Sequence, residues 1–259
     1  AGPPMLRQDQ GSVLVRPCAV RLCPSDRQCS PGGQSGPAVV KQSSVVRADL
    51  SDRVLRYEVT ETVVNRGSGL GEADYIFPLP KGAAFQDLKL SINGELVSGE
   101  TMNAAQARQI YEQIVRQQRD PALVEWMGYG LLRTRIFPIA PGEEKKVVVR
   151  FQSVAQREGD ALRIDYFRGA RPGPEIRQAE PLGRTSFTFR YPNESRYGDA
   201  YSPTHTLTTT RSASMREVRV NGDNRETTLL VPVRRSTAPS IAVLTDARVQ
   251  ENGFEPITL

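Results

Sequence analysis

Tyr75-Ile76-Phe77-Pro78-Leu79-Pro80 opens a stretch that runs to Phe151 and decides the fold. Tyr75, Phe77 and Leu79 recur at every second position, the period of a strand with one buried face. Proline lacks an N–H, so Pro78 and Pro80 place this strand end at an edge or outside the ladder. LKLSINGELVSG follows. Leu88, Leu90 and Ile92 share a face, Asn93-Gly94 supplies the positive φ of a tight hairpin, and Leu96 resumes the pattern. Next comes one amphipathic helix, expected over about 103–119. Asn103 is its N-cap and Gln106 stands at the capping-box position. Ala104, Ala107, Tyr111, Ile114 and Gln118 step by three and four along one stripe, with Arg108, Glu112, Arg116 and Arg119 off it. Pro121 disfavours a helical residue before it and stops the helix near Asp120. The stripe is narrow, so the helix is expected to pack on a sheet by one side only. Residues 131–139 and 145–154 are expected to pair as strands about the Pro141-Gly142 turn.

Upstream, SSVVRADL and VLRYEVTETVVN alternate and are rich in Val, Tyr and Thr, with a turn at Ser51-Asp52. Leu55, Tyr57, Val59, Glu61 and Val63 fall on one face. Glu61 interrupts that apolar row and is read as a strand kink or an edge. The string Gly67 to Gly71 is not followed by a helix, which a phosphate-cradling loop requires, so it is a loop between strands. Downstream, 161–167 is a further strand and RGARPGPEIRQAEPLG is a linker or long loop. SFTFRYP, THTLTTT, MREVRVNG, ETTLLVPV and SIAVLTDARV then recur at the spacing of a sandwich rather than of parallel βαβ units. The expected fold is mainly β: an antiparallel β-sandwich with one packed helix. Residues 1–42 form a Cys/Pro/Gly-rich tail, 43–170 a β domain carrying the helix, and 171–259 a β-rich segment packing on or following it.

Hydrophobic residues make up 38% of the 259-residue chain and charged residues 24%, the balance of a soluble globular protein. No window approaches the roughly 18 consecutive apolar residues of a membrane helix. The formal net charge is +5, carried mostly by arginine, but acidic residues are interspersed throughout. Arg234-Arg235 is the one compact basic run. Without a basic face interleaved with aromatics, nucleic acid is not an expected partner. The start AGPPMLRQDQGS lacks the basic and apolar regions of a signal peptide and suits the residue left by signal removal. Cys18, Cys23 and Cys29 lie in the tail. A zinc site would need a fourth ligand nearby, and the only histidine is the distant His205. One short-loop disulfide with a spare thiol, or three free thiols, is the plain reading; a disulfide between two of the three, in an oxidising compartment, is favoured over a metal, with the pairing open.

Candidates for catalysis are sparse. A hydrolase would recruit His205 with Ser202 and Asp199, but there is no G-x-S-x-G elbow and the three sit in loop-to-strand sequence. Glu143-Glu144 beside Lys145-Lys146 is a solvated turn rather than an acid/base pair. Trp126 is either an exposed binding anchor or, more in keeping with a lone tryptophan after a helix-ending proline, a core plug. Tyr111 and Phe137 are core candidates. No catalytic residue, cofactor or metal is expected. The chain is read as a non-enzymatic module, with a hydrolase built on His205, or an autonomous protein-binding module, as the alternatives.

Residues from about 46 to 167 resemble the VIT domain of vault proteins and inter-alpha-trypsin inhibitor heavy chains. The resemblance is carried by Tyr75-Ile76-Phe77-Pro78-Leu79-Pro80, Ile92-Asn93-Gly94-Glu95, Ala107 with Tyr111, Leu123 with Glu125 and Trp126, Phe137-Pro138-Ile139, and Pro141-Gly142-Glu143. Residues 186–259 look like the β-rich segment that leads to a von Willebrand factor A domain in such proteins. The resemblance implies a secreted, periplasmic or cell-surface scaffold that binds protein or matrix partners and orients that neighbouring domain. It transfers no metal site: Asp49-Leu50-Ser51-Asp52-Arg53 begins like the A domain's D-x-S-x-S motif but ends in Arg53.

Overall fold

The computed structural model describes residues 12–15, 39–80, 82–92, 94–98, 100–102, 123–126, 131–167, 183–222, 226–234 and 242–246. These residues are mainly β. In chain order the strands are β1 (Ser12–Val15), β2 (Val39–Ser51), β3 (Val54–Asn65), β4 (Gly71–Pro78), β5 (Ala84–Ile92), β6 (Glu95–Ser98), β7 (Glu100–Met102) and β8 (Leu123–Trp126). They continue as β9 (Leu131–Ile139), β10 (Glu144–Val154), β11 (Gln156–Glu158), β12 (Ala161–Phe167), β13 (Arg184–Pro192), β14 (Leu207–Arg211), β15 (Met215–Val220) and β16 (Glu226–Pro232). The helix expected over 103–119, with Tyr111, lies outside the described residues, as do the three cysteines and Asn93.

Three sheets form. The large one has the order β14-β15-β13-β2-β3-β10-β5-β6, the second β1-β4-β9-β8-β7, and the third β11-β12-β16. Alternation in β3 buries Leu55, Tyr57, Val59, Glu61 and Val63 along one face, as the period-two reading requires. The inner faces meet in one aromatic chain. Phe77 of β4 lies 5.6 Å from Phe151 of β10, which stacks on Tyr57 of β3 at 4.6 Å. Tyr57 in turn faces Tyr166 of β12 at 5.9 Å, and Tyr166 faces Phe187 of β13 at 5.7 Å. All three sheets therefore share one core, and β13, β14 and β15 extend the same sheet that β2 and β3 begin, while β16 pairs with β12.

The expected all-antiparallel pairing is corrected at two places. β13 runs parallel to β2, with Phe187 opposite Val46, and β7 runs parallel to β8. Within residues 1–42, Ser12–Val15 forms β1 on the edge of β4, and β2 begins at Val39.

The strand pair expected about Pro141-Gly142 does not form. β9 pairs with β4 and β8, whereas β10 pairs with β3 and β5, so the chain changes sheet at this turn. Buried Asn65, at the end of β3, causes the divergence. Its N–H donates to Glu143 O (3.1 Å) and its carbonyl accepts from Gly142 N (2.7 Å). Its side-chain amide donates to Ile139 O (2.8 Å) and Gly69 O (2.7 Å), and its Oδ1 accepts from Gly67 N (2.9 Å). These bonds pin both sheet-crossing loops, 66–70 and 140–143, to one residue. The other two turns behave as read. Asp52 takes φ 54° between β2 and β3, and Gly94 takes φ 86° between β5 and β6.

Candidate functional site

Glu61 is the first group to place. It marks neither a kink nor an edge, because β3 is interior to the large sheet and the Glu61 side chain is completely buried. Its charge is met from β2. Lys41 Nζ lies 3.3 Å from Oε2, both side chains having no exposure, and Ser44 Oγ donates to Oε1 at 2.9 Å. Lys41 and Ser44 are three apart and would face opposite sides of a regular strand. A bulge resolves this: Lys41 pairs with Val63 and Ser43 with Thr62, leaving Gln42 as the extra residue. Gly183 abuts the bulge at φ 63°, where an added Cβ would lie 2.2 Å from Gln42 O. Only glycine combines that φ with that approach. The cluster is sealed from solvent. Its chemistry is to hold β2 and β3 in one register, since a one-residue slip would turn Glu61 away from Lys41.

The His205 candidates are brought near one another but not as a reaction centre. Ser202 Oγ donates to Thr228 O (2.6 Å) and accepts from the His205 N–H (3.0 Å), closing a turn. The His205 ring meets Thr204 Oγ1 through Nδ1 at 2.8 Å. Asp199 is committed elsewhere, both of its oxygens accepting from Arg211 at 2.6 Å. Each of the three groups thus has a structural partner in place of the contact a triad would need.

An open cleft of about 470 Å³ lies between the loop after β13 and the end of β16. It is lined by Asp160, Arg196, Tyr197, Pro232 and Arg234, among others. Backbone hydrogen bonds tie its two sides together. Gly198 N donates to Pro232 O (2.8 Å) and Arg234 N to Arg196 O (2.9 Å). A Cβ on Gly198 would meet Pro232 Cβ at 2.9 Å. The Arg196 guanidinium sits 4.7 Å above the Tyr197 ring and donates to Asp52 and Glu194, each at 2.6 Å. Its pKa is raised, chiefly by the hydrogen bond to Asp52. Burial pushes the Tyr197 hydroxyl up, and that hydroxyl donates to Asp52 O at 3.3 Å. Tyr197 itself is buried, so the hollow presents the exposed Arg196 and Arg234, and arginine is a residue type of protein–protein anchors. Sequence reasoning noted Arg234 only as part of a basic pair and missed Arg196 and Tyr197. The Tyr197–Val233 bridge that joins them spans positions far apart in the chain.

Residues 41–151 match the family model for VIT, the Vault protein inter-alpha-trypsin domain. This stretch is a VIT domain. No curated protein matches the chain. Among solved structures, a candidate nutrient binding protein from Legionella pneumophila subsp. pneumophila str. Philadelphia 1 is similar at TM-score 0.42 and 12% identity, over 75% of this chain and 67% of that one. An M1 zinc metallopeptidase from Deinococcus radiodurans is similar at TM-score 0.40 and 14% identity, over 78% of this chain and 44% of the peptidase. At these TM-scores neither likeness bears on function.

Within the VIT domain the motif residues scatter over distinct positions. Tyr75 and Phe77 are fully buried on β4, which ends at Pro78. Pro80 accepts the Ala83 N–H at 2.9 Å in the following turn. Leu123, Glu125 and Trp126 lie on β8, with Glu125 opposite Arg133 and Trp126 opposite Leu132 of β9. Phe137 and Pro138 are half-buried on β9 and joined by a cis peptide bond. Pro141 and Gly142 are exposed in the sheet-crossing turn, where Gly142 has φ 77°. The described motif residues therefore lie on β4, β8 and β9 and in two turns.

Proposed function

We propose that this protein is a non-catalytic interaction module of a secreted, periplasmic or surface VIT-type protein. On this reading its VIT domain and the strands that follow form a rigid β-sandwich body, with the 103–119 helix packed on one side. It binds a protein or matrix partner and orients a von Willebrand factor A domain. The observation that carries the reading is the cleft that presents Arg196 and Arg234, a preformed hollow whose two sides are tied by backbone hydrogen bonds. A preformed site loses little conformational freedom on binding, which favours affinity. The commitment of Asp199, Ser202 and Glu61 to internal partners supports a structural rather than a chemical use of the polar groups.

The test is binding of the full chain to immobilised matrix proteins, fibronectin and fibrillar collagen among them, measured by interferometry. Saturable binding that falls at least tenfold in Arg234→Glu, at unchanged melting temperature, is the expected result. Binding that is absent, or indifferent to Arg234→Glu, removes the cleft from the function.

A further inference from the structure

β1 is set apart from every other strand of the second sheet. It comes from the N-terminal segment, joined to the rest of the VIT-containing body through residues 16–38, and it seats antiparallel on β4 at the sheet's rim. The pairing runs residue for residue from Ser12↔Ile76 to Val15↔Ala73. It stops short of Pro78, which has no N–H to offer, and short of Gly71, where the β4–β9 register shifts. The edge of β4 is therefore a strand-length receptor with two built-in ends. It is also rigid: Ala73, Tyr75 and Phe77 on the same strand are wholly buried in the shared core.

We propose that the β4 edge is a strand-accepting site, filled by β1 of the same chain and, in exchange, by the identical segment of a second copy. Main-chain hydrogen bonds supply the attraction in such strand addition, so any chain that presents the same extended segment can compete. A ladder of four residue pairs is weak by itself. The covalent link makes it persist in one chain, by holding β1 at a high effective concentration. A second copy is the occupant expected in exchange, because Ser-Val-Leu-Val is the sequence seated on this edge and every copy carries it. Reciprocal exchange closes as a two-fold dimer with each β4 edge filled.

The test uses a fluorescent peptide of the sequence of residues 8–17 and the full chain carrying Val13→Pro and Leu14→Pro. Adjacent strand residues point their N–H groups to opposite edges, so one of the two prolines removes a bond to β4. The peptide is expected to bind this variant saturably and at least tenfold more tightly than it binds the unmodified chain, whose own β1 competes. A peptide bearing the same two prolines is expected to lose that binding. Sedimentation of the unmodified chain, refolded at high concentration, is expected to show a dimer that the double-proline chain does not form. A melting temperature within a few degrees of the parent's establishes that the variant folds, and Val13→Pro and Leu14→Pro tested separately serve if the double variant does not. Three results would overturn the proposal: no saturable binding to the variant, equal binding to both proteins, or equal binding of an unrelated alternating apolar peptide.

Discussion

The two faces of the large sheet carry the same chemistry on the same strands to opposite effect. On the inner face of β2 and β3, Lys41, Ser44 and Glu61 form a cluster sealed from water. On the outer face of β2, β3, β10 and β5, Arg47, Glu58, Arg150 and Asp87 form a cross-strand ladder of alternating sign. Arg150 lies 2.8 Å from Glu58 and 3.3 Å from Asp87, and Arg47 lies 4.0 Å from Glu58. Arg190 of β13 extends the pattern to Asp49 of β2 at 2.6 Å. Buried ions have lost their hydration, so removing one partner exposes the full desolvation penalty of the other. Half-exposed ions keep much of theirs, and each pair is worth little. The inner cluster is therefore a strict specification of register. The outer ladder keeps a broad sheet face solvated and correctly paired.

The sharpest way to break this contrast is Glu61→Ala, which strips Lys41 of the carboxylate 3.3 Å away inside the core. Urea unfolding should show a loss of about 3–5 kcal/mol. The paired replacement Lys41→Met/Glu61→Leu should recover most of that loss, and failure to recover it would refute the isolated-charge account. Asn65→Ala removes the amide that ties both sheet-crossing loops and leaves buried carbonyls unmet, with an expected cost of about 2–3 kcal/mol in the same assay. Gly183→Ala forces a Cβ into the bulge at a left-handed φ, and a drop of about 2 kcal/mol is expected.

Burial also acts on Tyr57 at the centre of the aromatic chain. Its pKa is raised, first by desolvation and then by the negative charge of Asp165. The folded state thus holds this proton more tightly than the unfolded chain. The resulting stability is complete below the ordinary tyrosine pKa of about 10 and is lost as pH rises above it, by up to about 1.4 kcal/mol per unit. Unfolding measured from pH 9 to 11.5 should show this fall, and Tyr57→Phe should flatten it. The smallest effect belongs to the ladder. A double-mutant cycle on Glu58→Ala and Arg150→Ala should return a coupling under about 1 kcal/mol that shrinks in 1 M salt. A coupling as large as the inner pair's would erase the distinction between the faces.

Much of the local structure was legible because it depends on near neighbours. Alternation located β3, β5, β12 and β13, and the turn residues at 51–52 and 93–94 marked hairpins that form. The motif from Tyr75 to Gly142 pointed to the VIT domain that residues 41–151 match. What failed did so for tertiary reasons. β9 and β10 are well-formed strands on either side of a Pro-Gly turn, and nothing local says that they join different sheets. That choice is made by Asn65, from the far end of β3. Glu61 looked like a flaw in an apolar row because its counter-ion lies twenty positions earlier, across a bulge that the sequence does not announce. The cleft was invisible for the same reason: Arg196 and Arg234 meet only when the loop after β13 docks on β16.

Strand identity, turn positions and the VIT match of residues 41–151 were thus written into the order of residues, because backbone preference and side-chain alternation act over two to four positions. The sheet each strand joins, the parallel contact of β13 with β2, the neutralisation of Glu61 and the seat of β1 on β4 were decided only in three dimensions. There, the burial of charge and the satisfaction of backbone donors are settled by residues that are distant in the chain.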